Sequence, residues 1–205
     1  MTGRLPVVFV SQRVVVDAVT GERRDALDQR WPPFLGACGF LAVPVPNVPT
    51  RVATYLDEMR PSAVMLTGGN DLAVLGGDAP ERDATEQELI AQCLARKTPL
   101  AGVCRGMQMI QSRFGVRLEP VSGHVAVRQT ILFEGAPREV NSYHRFGTRQ
   151  SVPGLAVCGK AADGIVKAVR ASDNAMFGIM WHPEREAPFR AEDIELISAA
   201  LRGEL

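Results

Sequence analysis

The chain has 205 residues, 46% of them hydrophobic and 22% charged, and its 23 Lys and Arg balance 23 Asp and Glu. That length suits a single domain over residues 1–205 with one well-buried core. The zero net charge supplies no global attraction for nucleic acid or an anionic membrane. Cys38, Cys93, Cys104 and Cys158 are scattered and form no C-x-x-C pair, which argues against a zinc knuckle or a disulfide framework. The opening MTGRLPVVFV holds an apolar run too short to span a membrane and no small-residue cleavage pattern, so a cytoplasmic protein is expected.

Residues 7–10 predict a first strand, followed by Ser11, Gln12 and Arg13. Groups just beyond the C-terminal ends of strands face the ligand crevice of an open α/β sheet, so Gln12 and Arg13 are candidate substrate contacts. A solvated loop is the plain alternative. Residues 23–40 predict a helix on the spacing of Ala26, Leu27, Arg30 and Trp31, kinked or restarted at Pro32-Pro33. Residues 41–45 predict a second strand, with Pro44, Pro46 and Pro49 marking the loop after it. A short helix is expected over 50–59. The apolar run 63–67 then ends in Gly68-Gly69-Asn70-Asp71, bare backbone that either presents N–H groups as an oxyanion hole or simply turns the chain.

Asp83-x-x-Glu86 has the form of a capping box, opening a helix to about residue 97 with Leu89, Ile90, Cys93 and Leu94 on its apolar face. Residues 100–103 form an apolar run that stops at Gly102-x-Cys104-x-Gly106, and Met107, Ile110 and Phe114 follow at helical spacing. Strand, sharp turn and helix in that order make a nucleophile elbow with sulfur in place of oxygen. The glycines let the backbone double back, and Cys104 projects at a helix N-terminus that favours the thiolate. A buried, unreactive thiol is the other reading. Residues 63–115 thus predict a parallel βαβ unit.

Beyond residue 120 the pattern changes. Residues 124–131 alternate apolar and polar, 138–144 are extended, and 155–182 hold three strand-like runs broken by Asp163-Gly164 and Asp173-Asn174. Residues 191–201 predict a last helix with Ile194, Ile197 and Leu201 inward. The expected fold class is α/β, an open and mostly parallel sheet flanked by helices, with antiparallel strands added in the C-terminal half.

A cysteine nucleophile needs a base within hydrogen-bond reach and usually a third group to orient that base. His182 ends the last strand in GIMWHPERE, Pro183 stops the strand, and Glu184 is near enough to fix the imidazole tautomer. His144 in VNSYHRFGT lacks an adjacent carboxylate, and His124 follows Ser122-Gly123 as a loop residue with a structural role favoured. The order Cys, His, Glu differs from that of α/β-hydrolases. No two histidines stand at ligand spacing, so no metal site is expected.

On LTGGND (66–71), ERDATE (81–86), PLAGVCRGMQ (99–108), VNSYH (140–144) and GIMWHPE (178–184), the chain resembles the class I glutamine amidotransferases. Arg105 after the cysteine, together with VNSxH, makes it similar to the free-standing γ-glutamyl hydrolase branch, of the γ-glutamyl-γ-aminobutyrate hydrolase type. VSQRV and ERRDALDQRW resemble a smaller subgroup, of the γ-glutamyl-CDP-amidate hydrolase type, found with surface-polysaccharide biosynthesis.

The resemblance implies a flavodoxin-like fold and a hydrolase that cleaves a γ-glutamyl amide through a γ-glutamyl thioester. Cys104 would be the nucleophile, His182 and Glu184 would complete the triad, and the N–H groups of Gly69 and Arg105 would form the oxyanion hole. Gln108 and the segment Asn141, Ser142, Tyr143 and His144 would hold the glutamyl moiety. Gln12, Arg13 and the loop 70–80 would line the leaving-group side, where Arg13 suits an anionic group such as a nucleotide phosphate. The implied partner is a small-molecule γ-glutamyl substrate, without metal or organic cofactor, nucleic acid or membrane, and a homo-oligomer stays open. The chain departs from the family at Met180, where a Gln is usual, and around Gln111 and Ser112, where an Asn is usual. It is also compact for the branch. A glutaminase component that hands ammonia to a synthase partner and a catalytically silent binding domain are the two remaining readings.

Overall fold

Apolar runs without alternation become the middle of a sheet, because both faces of the strand are covered. The computed structural model describes residues 4–171 and 175–205. β1 (Val7–Ser11) leads into a hairpin of β2 (Arg13–Val16) and β3 (Arg23–Ala26), then α1 (Trp31–Ala37) and β4 (Leu41–Val45). Next come α2 (Val52–Met59), β5 (Ala63–Leu66), α3 (Pro80–Arg96), β6 (Leu100–Val103) and α4 (Arg105–Arg113). The C-terminal half adds β7 (Glu119–Pro120), β8 (Val125–Phe133), β9 (Ala136–Tyr143), β10 (Phe146–Gly147), β11 (Leu155–Ala161), β12 (Val166–Ala171), β13 (Met176–Ile179) and α5 (Ala191–Arg202).

Among the described residues, nine strands form one sheet in the order β4-β1-β5-β6-β13-β12-β11-β8-β9. From β4 to β13 every pairing is parallel, and from β13 to β9 every pairing is antiparallel. This is the flavodoxin-like α/β arrangement with an antiparallel extension. Side chains of the central strands alternate between two apolar layers. Val8, Val10 and Met65 pack with Phe34 and Leu35 of α1 and Ile197 and Leu201 of α5. Phe9, Val64 and Leu66 pack with Leu56 of α2, Leu89 and Ile90 of α3, and Met107 and Ile110 of α4. No helix among the described residues is long and apolar enough to cross a membrane.

Two predicted elements are corrected. Residues 23–40 are not one helix: Arg23–Ala26 pairs antiparallel with β2, and the helix begins only at Trp31. Pro32 and Pro33 fall in its first turn, where the missing N–H groups would have been unpaired in any case, and they prevent an earlier start. The capping box is the second correction. α3 begins at Pro80, so Asp83 and Glu86 lie inside it, and no side chain caps its N-terminus. Both carboxylates are buried. The predicted turn at Asp173-Asn174 lies outside the described residues.

Candidate active site

β6 ends at Val103 and α4 starts at Arg105, leaving Cys104 alone to make the turn. It does so at φ +53° and ψ −105°, a conformation that costs a non-glycine residue strain and that recurs at functional turns. The flanking glycines are required sterically. A Cβ on Gly106 would lie 2.2 Å from the carbonyl oxygen of Leu66, and one on Gly102 would lie 2.6 Å from the backbone of Gly106. The elbow therefore packs directly on β5. The Cys104 N–H donates to Ile179 O at 2.7 Å and ties the elbow to β13, the strand that leads to His182.

His182 Nδ1 lies 2.7 Å from Glu184 Oε1, and both residues are buried. That contact leaves Nε2 as the nitrogen for Cys104. A Cβ on Gly68 would meet His182 Cε1 at 2.6 Å and Cys104 Cβ at 3.6 Å, so the end of β5 closes over the pair and only glycine fits there. Burial opposes a charged imidazole, but Cys104 and Glu184 outweigh it and raise the His182 pKa to about 9.

A cavity of about 650 Å³ opens onto this pair. Of the residues singled out in the sequence, Cys104, His182, Gly69, Arg105, Gln108, Tyr143, His144 and Arg13 line it, and Glu184 stands behind His182. Asn141, Ser142 and Gln12 are not among the lining residues, because their polar groups are engaged elsewhere. The Asn141 amide accepts from His182 N–H at 2.8 Å and donates to His182 O at 2.9 Å and to Glu186 at 2.8 Å. It braces the histidine. The Ser142 hydroxyl donates to His124 O at 2.9 Å, and Gln12 Nε2 donates to Val45 O at 3.1 Å.

Gln108 Nε2 donates to Phe146 O at 2.9 Å, and His144 Nδ1 donates to the same carbonyl at 2.9 Å. His144 Nε2 then accepts from Lys167 Nζ at 2.6 Å. Lys167 also donates to His124 Nδ1 and Ser142 Oγ, each at 3.0 Å, so its three protons meet three neutral acceptors. His124 stacks on His144 with centroids 4.9 Å apart and turns Nε2 to Asp163 at 3.0 Å, a structural role. Burial and the neighbouring Lys167 push His144 down to about 3, and burial pulls Lys167 down to about 8 against the opposing pull of Asp163 and Cys104. Lys167 escaped the sequence reading, although a lone lysine within the apolar GIVKAV is itself a signal of a paired, buried charge.

The rest of the lining comes from Asn70, Asp71 and Gly76 to Asp78, from Val125, and from Arg145 and Arg185. Arg185 lies over the Tyr143 ring at 4.6 Å. No group of three His, Cys, Asp or Glu among the described residues is placed to hold a metal ion.

Fold and site together define an α/β domain that gathers a cysteine elbow from one strand and a His-Pro-Glu from the next at the C-terminal edge of its sheet. The chain belongs to the family described as glutamine amidotransferase class-I, whose model matches residues 41–197. It is 31% identical over 182 residues to the gamma-glutamyl-CDP-amidate hydrolase of Campylobacter jejuni subsp. jejuni serotype O:2, covering 87% of this chain and 90% of that one. It is 24% identical to a glutamine-hydrolyzing GMP synthase component of Methanopyrus kandleri, covering 81% of this chain and 89% of that one. The crystal structure of a GMP synthase component from Thermoplasma acidophilum shares the fold with a TM-score of 0.71 at 16% identity, over 98% of this chain and 95% of that one.

Proposed function

We propose that this protein is a cysteine-dependent hydrolase of γ-glutamyl amides whose leaving group carries phosphate, of the γ-glutamyl-CDP-amidate kind. The observation that carries this reading is one cavity shared by Cys104, His182 and, besides Arg105, which the α3 carboxylates hold, three further arginines, Arg13, Arg145 and Arg185. A plain glutamine leaves as ammonia and has no use for guanidinium groups. A phosphate oxygen pair suits their planar forks. The likeness to the Campylobacter hydrolase supports the same substrate class.

In this mechanism Cys104 Sγ attacks the γ-carbonyl carbon, and the oxyanion takes hydrogen bonds from the N–H groups of Gly69 and Arg105. One such donor is worth roughly 3 to 4 kcal/mol of barrier. His182 gives its Nε2 proton to the departing nitrogen as the C–N bond breaks, while Glu184 keeps the ring oriented through Nδ1. Water, deprotonated by His182, then cleaves the γ-glutamyl thioester to release glutamate and restore Cys104. Gln108 Oε1, opposite the nitrogen that Phe146 O holds, accepts from the substrate α-ammonium, and Tyr143 and His144 wall the same pocket.

The test is glutamate release from γ-glutamyl-CDP-amidate, γ-glutamyl-γ-aminobutyrate and glutamine. The first is expected to turn over fastest, and Cys104→Ala is expected to fold and release nothing. Arg13→Ala should raise KM for the nucleotide amidate roughly tenfold or more, the worth of one hydrogen bond between charged groups, and leave glutamine untouched. Activity on none of the three would overturn the reading in favour of a partner-dependent glutaminase.

A further inference from the structure

Four charged side chains, Arg82, Asp83, Glu86 and Arg105, meet behind the elbow, and the first three come from α3. Arg82 and Glu86 are fully buried. Arg105 reaches Asp83 through Nη2 and Glu86 through Nη1. Glu86 Oε1 also accepts from Arg82 Nε at 2.9 Å and from Ser11 Oγ at 2.7 Å. Burial lowers Arg82 only to about 10, and the two guanidinium groups keep Glu86 below its usual value against the cost of burial, so the charges persist at neutral pH.

A buried ion cluster is by itself a weak source of stability, since apolar replacements often do as well. What this one does in addition is grip backbone. Arg82 Nη2 donates to Thr67 O at 2.7 Å and to Gly68 O at 3.2 Å, and Nη1 donates to Gly69 O and, at 3.3 Å, to Asn70 Oδ1. Three successive carbonyls after β5 therefore point at one guanidinium. A trans peptide is planar, so its N–H points opposite to its C=O. Fixing Gly68 O toward Arg82 aims the Gly69 N–H away from it. At a Gly-Gly pair no side chain would otherwise stop that peptide from flipping.

We propose that Arg82, held by Glu86, is the positioning residue of the oxyanion hole: it sets the Gly68–Gly69 peptide, and through Glu86 and Asp83 the same cluster anchors Arg105, the residue that bears the second donor. This rests on the hydrolase reading above. Arg82→Lys tests it, because an ammonium cannot span three carbonyls and Glu86 together. Turnover of a γ-glutamyl amide is expected to fall about 10²- to 10³-fold, as for loss of an oxyanion donor, with KM little changed. Alkylation of Cys104 by iodoacetamide, a displacement that forms no oxyanion, is expected to keep its wild-type rate. A purely structural Arg82 would instead lower both rates together.

Glu86→Gln keeps the size of the buried group but removes the charge that holds both Arg82 and Arg105. It is expected to show a smaller loss of the same kind, and it carries the test if Arg82→Lys fails to fold. Wild-type turnover in either folded variant, or parallel loss of turnover and alkylation, overturns the positioning role alone. Absence of glutamate release by the wild-type protein overturns the hydrolase reading and this inference with it.

Discussion

Two buried polar clusters flank the Cys104 cavity, and they solve the cost of burial in opposite ways. The α3 cluster balances two guanidinium groups against two carboxylates in direct contact. Lys167 has no carboxylate in contact among the described residues; its ammonium rests on His124, His144 and Ser142, with Asp163 one ring further out. A frame of paired charges holds its shape across the working pH range, whereas an ammonium on neutral acceptors is open to titration. The first suits a backbone that must not move, and the second suits the wall of a binding pocket. Removing a charge from each cluster probes this difference most severely. Arg82→Met takes away one of the two guanidinium partners of Glu86 and the donor to three buried carbonyls, and should cost about 3 to 5 kcal/mol in urea unfolding. Lys167→Met leaves only neutral acceptors without a donor and should cost about 1 to 3 kcal/mol. It should also raise the His144 pKa from about 3, since one of the two main causes of its depression is gone, an effect that proton NMR can read.

The pH dependence of stability separates the site from the Lys167 wall. His182 has a folded-state pKa of about 9 against an ordinary 6.5. Its charged form stabilises the fold fully below pH 6.5, and that contribution is lost as pH rises toward 9. Lys167 runs the other way. Its folded-state pKa is about 8 against an ordinary 10.5, so the cost of burying its ammonium is present below pH 8 and fades as pH rises to 10.5. The stability of the wild-type protein to urea should therefore fall from pH 6.5 to 8, and the opposing trend should appear above 8. His182→Gln is expected to abolish the decline, and Lys167→Met the opposing rise. Cys104→Ser should lower the His182 pKa, because Cys104 is the foremost of the groups that raise it.

The same two clusters divide what a reader of the chain could and could not see. The elbow was legible because its constraints are local: Gly102 and Gly106 stand beside the cysteine whose turn they allow. His182 and Glu184 were legible for the same reason, two residues apart with a strand-ending proline between them. Asp83 and Glu86 mimic a cap in sequence because the spacing of a capping box is also about one helical turn. Their true partner, Arg105, lies 22 and 19 residues away, and Ser11 lies 75 from Glu86. Only the packing of α3 against the start of α4 and the end of β1 unites them. The partners of the Asn141 and Ser142 side chains could not be read from the chain either, since their hydrogen bonds run to His182, His124 and Lys167 across the sheet.

The smallest effect is also the most discriminating. Asp163 and Asp83 each support a cation at one remove from the cavity, yet the Asp163 side chain is 44% exposed and that of Asp83 only 12%. Asp163→Asn should cost no more than about 1 kcal/mol, the usual worth of a solvated pair, and should leave turnover unchanged. It should also lower the Lys167 pKa below about 8, because the pull of Asp163 is what opposes burial first. Asp83→Asn makes the same chemical change where Arg105 is fully enclosed, and its larger cost should come with a loss of turnover. Equal losses in the two variants would mean that the Lys167 wall depends on its distant carboxylate as strongly as the α3 frame depends on its own. The contrast between a charge-balanced frame and a titratable wall would then fail.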